Sequence, residues 1–408
     1  MKVLHTSDWH LGQRLLQLER QEEFAQALDW LLETIRQEEV DVLLVAGDIF
    51  DIGNPPNQAR QLYYNFLRQL LNTRCQHVVI TGGNHDSPAM LNAPRELLQA
   101  FNIHIIGAAT DNLQDELLVL QNHDGQPALV VAAVPFLRDR DLRTTLAGEN
   151  FDDRNARLQA GLTQHYHQLA ALCQPFQQQG IPILAMGHLY AKGAVAAERQ
   201  DNIYIGNREN MEAEHFPDTF DYVALGHIHR AQMVGQCEHI RYAGSLMPLS
   251  FSETADDKQV LILTFSPDKT LTIRPVEVPV FRRLKTITGT LTEVQDALAR
   301  FAAKADTRLL TPWVEVVVDA TDYQPQLDTL LREYCESLPL ELVKIRIQRP
   351  LADGDALRSV AVPDLEDLHV EDVFLQRCVS MGITNEIDQQ ELLATFRELQ
   401  NEMADADS

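Results

Sequence analysis

Cysteine is scarce in this chain of 408 residues. The five cysteines, at 75, 173, 237, 335 and 378, are odd in number and show no Cys-x-x-Cys spacing. That argues against a disulfide framework or a zinc–thiolate site and sets the expectation of reduced thiols in a cytoplasmic protein. Long apolar runs are lacking too. The longest, Ala128 to Leu137, is about half of what a membrane helix needs, so no membrane span is expected. The first residues, Met1-Lys2-Val3-Leu4-His5-Thr6-Ser7-Asp8, do not read as a signal peptide. No Gly-Lys dipeptide occurs, hence no P-loop lysine of the usual kind, and any dependence on ATP would need a partner that binds it. Internal repeats and low-complexity segments are also missing. Positive charge is in short supply: 34 Lys+Arg face 59 Asp+Glu, a net charge of −25. Such a chain does not grip nucleic acid by bulk charge. Residues 351–408 alone hold 14 acidic and 3 basic side chains, a net −11, which leaves −14 for the first 350 residues.

What is present is an ordinary globular composition, 45% hydrophobic and 23% charged, long enough for two or three domains. To about residue 275, short apolar runs alternate with amphipathic stretches, the mark of an α/β protein. Strands are expected at Val3-Leu4, Val40–Ala46, His77–Thr81, Leu129–Val134, Ile181–Met186 and Tyr222–Leu225. Helices are expected around Glu22–Gln37, Asn57–Leu71, Pro88–Ala100 and Asn155–Cys173. Arg241–Ala243, Gln259–Phe265 and Leu271–Val278 read as antiparallel strands. A boundary falls near Pro275–Pro279, followed by a small strand–helix–strand–helix–strand unit. Domains are therefore expected at 1–278, 279–350 and 351–408. The last of these comprises a linker, Pro350 to Pro363, and an acidic tail with two amphipathic helical segments.

The chemistry sits where apolar runs end. Val3–Ser7 leads to Asp8-Trp9-His10, and Val42–Gly47 to Asp48. Val78–Gly83 leads to Asn84-His85-Asp86, Ile183–Gly187 to His188, and Tyr222–Gly226 to His227-Ile228-His229. Five runs deliver an oxygen or imidazole donor, four of them directly after Gly. Sites of α/β sheets form beyond the carboxyl ends of strands, so these five ends can converge. Taken singly, each residue has an ordinary alternative: Asp8 or Asp48 a cap or turn residue, Asn84 an Asx-turn, His188 a core histidine. Five independent turns would not all need ligand chemistry, so the set reads as a metal site. A single catalytic zinc takes three or four protein ligands; seven donors fit two ions sharing one carboxylate.

The motifs Asp8-x-His10, Gly47-Asp48-x-x-Asp51, Gly83-Asn84-His85-Asp86, Gly187-His188 and Gly226-His227-x-His229 resemble, in order and spacing, the calcineurin-like metallophosphoesterase superfamily. The fuller forms Ser7–Gly12, Gly47–Asp51 and Ala224–His229, with the segment from Gly244-Ser245 to Phe251, look like its branch of bacterial DNA nuclease subunits. Leu246 stands where that pattern has Pro after Gly-Ser, a departure that changes no expected ligand.

The resemblance implies a four-layer αββα sandwich with a small α/β capping domain and a C-terminal helical tail. It implies that Asp8, His10, Asp48 and His229 bind one metal ion and Asp48, Asn84, His188 and His227 a second, with Asp48 bridging. Manganese is the favoured metal, and a water between the ions would attack phosphorus. His85 would sit near the leaving oxygen, oriented by Asp86. The expected activity is metal-dependent hydrolysis of DNA at duplex ends and hairpins, in recombination, replication and break processing. The tail would dock on a coiled-coil ATPase, and the family dimerises through helices near 57–71 and 88–100. A stand-alone phosphoesterase and a non-catalytic scaffold are the rival expectations. Leu62, Tyr63, Tyr64, Phe66, Leu67, Leu70 and Leu71 span about 200° of a helix, which suits either a buried helix or a core helix with a partner face. Arg138, Arg140, Arg143 and Arg154 could meet phosphates or form a solvated loop.

Overall fold

The computed structural model describes residues 1–348 except 123, 143–150, 193, 195–209, 267, 269, 305 and 320–325. The expected linker and tail helices, and Arg143, lie outside the described residues.

Apolar runs too short for helices and apolar on consecutive positions form parallel strands buried on both faces. They are β1 (Lys2–Thr6), β2 (Val42–Ala46), β3 (His77–Thr81), β4 (Ile103–Ile106), β6 (Pro127–Ala133), β7 (Ile183–His188) and β8 (Tyr222–Gly226), while β5 (Leu117–Gln121) is a half-exposed edge strand antiparallel to β6. Further on lie β9 (Gln232–Val234), β10 (Cys237–Tyr242), β11 (Gln259–Phe265) and β12 (Leu271–Glu277). Two six-stranded sheets result, in the orders β12-β11-β1-β2-β3-β4 and β9-β10-β8-β7-β6-β5. β1, β2 and β3 run parallel in the first sheet, and β6, β7 and β8 in the second.

Alternate residues of these strands face different layers. Val3, Val42, Leu44 and Val79 meet Leu129, Val131, Leu184, Met186 and Ala224 in a core between the sheets. On the outer face of the first sheet, Leu43, Val45 and Ile80 pack with α1 (Gln21–Gln37) and α2 (Asn57–Leu70). On the outer face of the second, Ala132, Ala185 and Val223 pack with Leu162, Tyr166 and Leu169 of α3 (Phe151–Gln178). Helix, sheet, sheet and helix make the expected four-layer αββα sandwich.

Some local expectations change. The stretch Pro88–Ala100 forms two short helices, Pro88–Asn92 and Arg95–Gln99, because Pro94 cannot continue the first. β4 and β5 appear where no strand was expected. β10 is not purely antiparallel. The chain reverses at Gly235, so β10 pairs antiparallel with β9 but parallel with β8. β11 and β12 form the expected antiparallel hairpin, with Pro275 on the outermost strand, where no ladder donor is required. α2 buries Tyr63, Phe66, Leu67 and Leu70 in its own core, while Tyr64 and Leu71 remain exposed at 39% and 47%. Arg154 and Arg140 are paired with Asp139 and Asp141, so they form no free basic stretch.

The small unit consists of β13 (Arg282–Gly289), α4 (Leu291–Ala302), β14 (Leu310–Asp319), α5 (Leu327–Glu336) and β15 (Glu341–Gln348). Its strands are all parallel, in the order β13-β14-β15. It has its own core of Ile287, Val294, Leu298, Val314, Val316 and Leu331. A second apolar cluster, Leu284 and Trp313 with Leu15 and Phe251, seats it on the sandwich. Arg282 reinforces the seat: its guanidinium carbon lies 4.2 Å from the Trp313 ring centroid and its Nε donates to Glu23 at 2.6 Å. By its contacts, the chain from Met1 to Gln348 is one compact body that includes this unit. Among the described residues no helix is long and apolar enough to cross a membrane.

Candidate metal centre

The carboxyl ends of β1, β2, β3, β7 and β8 bring all seven expected donors to one spot. Getting them there requires unusual backbone. Asp8, His10, Asp48 and His227 have φ of 51°, 46°, 51° and 102°, a region that costs a non-glycine residue of order 1–3 kcal/mol. Cross-loop hydrogen bonds hold these turns. Asp8 N–H donates to the Gly47 carbonyl at 3.1 Å, and His10 N–H to the Asp48 carbonyl at 3.0 Å. His227 N–H donates to Asp8 Oδ1 at 2.8 Å and His85 N–H to Asp48 Oδ1 at 2.9 Å. The two sheets approach so closely at Gly226 that a Cβ there would lie 1.8 Å from the Ala46 carbonyl oxygen. Glycine is required at that position because the sheets must meet for the donors to meet.

Asp48 is central. Its Oδ2 lies 3.4 Å from His10 Nε2 and 3.2 Å from His188 Nε2. Asn84 Oδ1 lies 3.0 Å from His188 Nε2 and 2.9 Å from His227 Nδ1. On the other side, His10 Nε2 and His229 Nε2 face each other at 3.2 Å. Donor atoms of Asp8, His10 and His229, of Asp8, Asp48 and His188, and of His10, Asp51 and His85 cluster within 4.8 Å.

The imidazole tautomers test whether cations fit. His10 Nδ1 lies 3.2 Å from Asp51 Oδ1, and His229 Nδ1 3.2 Å from Glu253 Oε1. A carboxylate only accepts, so each Nδ1 carries the proton and each Nε2 presents a lone pair. Two lone pairs pointed at each other repel unless a cation lies with them. His188 repeats the logic: its Nδ1 donates to the Ala46 carbonyl at 3.0 Å, so its Nε2 lone pair faces the oxygens of Asp48 and Asn84. Imidazole, carboxylate and amide donors without thiolate suit hard or borderline divalent ions. The residues fit a pair of metal ions.

The crowded donors also shift one another's proton affinity. Burial alone would lower His10, but its bond to Asp51 and the charges of Asp48 and Asp8 raise it to about 9. His188 rises to about 9 in the same way, against burial, through Asp48. Burial disfavours the Asp48 carboxylate, yet His188 and His10 hold it well below the usual range. His227, buried beside His188, is pushed down to about 3.

His85 stands at the edge of the cluster, half-buried, with its ring edge-on to His10 at 4.8 Å between centroids. Its Nδ1 donates to the Asp51 carbonyl at 2.8 Å. The expectation that Asp86 orients this ring is therefore corrected. The Asp86 carboxylate is buried and accepts the backbone N–H groups of Ile49, Phe50 and Gly83, tying the β2 and β3 loops together. Burial and the Asp48 charge push it up to about 6, against those three donors. Asp51, for which the motif alone suggested no role, supplies both the partner of His10 and the carbonyl for His85.

Two further residues carried no signal in the sequence. Glu253 accepts from His229, 24 residues earlier, and from Lys258 Nζ at 2.8 Å. No local spacing links a carboxylate to a histidine that far away.

Strand ends of two packed sheets that converge carboxylate, amide and imidazole donors define a metal-dependent hydrolase of the α/β sandwich class. The chain belongs to the calcineurin-like phosphoesterase family, whose pattern residues 1–231 match, and whose members use a dinuclear metal site. Residues 280–381 match a second family, the type 5 capsule protein repressor C-terminal domain. Curated relatives cover from two thirds to nearly all of the chain. The SbcD component of nuclease SbcCD from Escherichia coli K12 is 38% identical over 398 residues, 97% of each chain. The SbcD component from Rhodobacter capsulatus is 33% identical over 378 residues, 89% of this chain and 90% of its own. That from Bacillus subtilis is 32% identical over 279 residues, 68% and 69% of the two chains.

Proposed function

We propose that this chain is the nuclease subunit of an SbcC–SbcD-type complex, hydrolysing DNA phosphodiesters at duplex ends and hairpins with two manganese ions. The observation that carries the reading is the Asp48 carboxylate between His10 and His188, at the meeting point of both sheets, in a chain similar along its length to nuclease subunits.

Asp8, His10, Asp48 and His229 would hold one ion; Asp48, Asn84, His188 and His227 would hold the other. Once bound, such a pair supplies Lewis acidity to a phosphoryl oxygen and acidifies water. The chain's own groups do the rest. Asp48 Oδ1 accepts the His85 N–H and so fixes the β3 loop against the β2 loop. Asp51 keeps the His85 Nδ1–H engaged, which leaves Nε2 as the nitrogen able to carry a second proton and pass it to the leaving oxygen. Asp86 locks both loops through three backbone bonds, so the reacting groups need no rearrangement.

The small unit at 279–350 acts as the capping domain. The acidic segment after Pro363 is the docking element for the SbcC-type ATPase, since its net charge suits a basic groove. A second copy of this chain covers the apolar residues left exposed on and just after α2, Tyr64 and Leu71, and on and just after the short helix Arg95–Gln99, Leu97 and Phe101.

The test offers linear duplex DNA, hairpin DNA and bis-p-nitrophenyl phosphate with manganese, with and without the ATPase partner. Hydrolysis of all three, with ATP-dependent stimulation on DNA alone, is expected. Cleavage of the small diester only would favour a stand-alone phosphoesterase, and no cleavage would favour a scaffold. Truncation after Pro363 is expected to spare small-diester hydrolysis and weaken ATPase binding.

A further inference from the structure

Three candidates stand out beyond the donors themselves. In the cavity of about 320 Å³ between the 12–21 segment and α2, the charged groups are already paired, Arg14 to Glu19 and Arg20 to Glu23. The stacked His77 and His104 rings lie 6.1 Å apart and gather no third donor among the described residues. The third is a buried ion pair immediately behind one of the donors.

Glu253 and Lys258 have side chains only 3% and 5% exposed. Every donor and acceptor of the pair is engaged. Glu253 Oε1 accepts from His229 Nδ1 at 3.2 Å, and Oε2 from Leu249 N–H at 3.1 Å and Lys258 Nζ at 2.8 Å. Lys258 Nζ also donates to the His229 carbonyl and to Ser245 Oγ, both at 2.9 Å. The lysine thus grips His229 by its backbone while the carboxylate it neutralises grips the ring. A buried ion pair is expensive to desolvate and contributes little net stability, so its presence calls for another use. The turn that carries Glu253 is itself anchored, since Phe251 packs with Leu15, Leu284 and Trp313 under the small unit. His10, the other half of the facing pair, has a looser clamp in Asp51, whose side chain is 29% exposed.

We infer that Glu253, held by Lys258, is a positioning residue that fixes the tautomer and direction of the His229 ring, so that its Nε2 is presented to the metal site. A carboxylate on the far nitrogen of a metal-binding histidine orients the ring and makes it a better donor. This rests on His229 binding a metal ion, as proposed above.

The full-length protein, Glu253→Ala and Glu253→Gln are titrated with Mn2+, reading free ion by electron paramagnetic resonance, and their metal-free thermal unfolding is recorded. In Glu253→Ala one of the two binding steps is expected to weaken by about 10- to 100-fold while the other is unchanged. Hydrolysis of bis-p-nitrophenyl phosphate should recover as Mn2+ is raised. Glu253→Gln keeps an acceptor oxygen and should show the same defect at a few-fold. Should the alanine variant not fold, the glutamine variant decides: an unchanged affinity there overturns the inference. Equal weakening of both steps, or unweakened binding in a folded alanine variant, also overturns it. A wild-type chain that binds no Mn2+ overturns the metal reading, and this inference with it. Two ions in the wild type and unaltered binding in Glu253→Ala overturn the positioning role alone.

Discussion

The metal centre and the small unit at 282–348 both rest on parallel strands flanked by helices, under opposite rules. At the centre, four non-glycine donors sit at positive φ, carboxylates and imidazoles are buried, and a glycine is required for two backbones to touch. In the small unit, none of the described non-glycine residues has positive φ. Its helix α4 begins with a reciprocal Thr290–Glu293 capping box, and its strands bury Val314, Val316 and Val318 on one face. The backbone of the small unit keeps to ordinary conformations, although its central strand carries Pro312 and the buried Glu315. The centre departs from such conformations and persists because cross-loop hydrogen bonds and three apolar cores over-determine its geometry. The cores stabilise a framework on which strained, ligand-bearing turns can be held.

Substitutions on the two sides should therefore differ in kind. The largest effect is expected at Asp48, which both halves of the centre share. Asp48→Ala should abolish hydrolysis, and elemental analysis should find clearly fewer metal ions than the two per chain of the parent. Full occupancy with normal turnover would remove the bridging role.

His85 tests the boundary of the donor set, because it clusters with His10 and Asp51 but is held by a backbone carbonyl. His85→Gln should retain both ions and lose turnover by roughly 10²–10⁴-fold. If the ions are lost instead, His85 is a ligand.

The smallest effect belongs to the small unit. Thr290→Ala deletes an N-cap and should cost about 1 kcal/mol, seen in chemical denaturation, with metal content and turnover at parent levels. A loss of metal from this change would mean the two regions are not separable.

The amino-acid sequence by itself determined the elements and the list of donors. Continuous apolar runs ending in Gly and a polar residue specify buried parallel strands with a site at their tips, and the periodicity of 291–302 and 327–336 specifies the helices of the small unit. Those signals are local, set by a residue and its neighbours within a turn or a strand. The tertiary structure alone decided which groups stand behind the donors. Asp51 rather than Asp86 holds His85, Glu253 and Lys258 hold His229, β10 runs parallel to β8, and Tyr64 on α2 and Leu71 just after it stay exposed. The first three join residues or strands well separated along the chain, and the last depends on what packs against the helix. Such arrangements arise when strands and loops distant in sequence meet, within one sheet or between the two, and no spacing along one strand or helix encodes them.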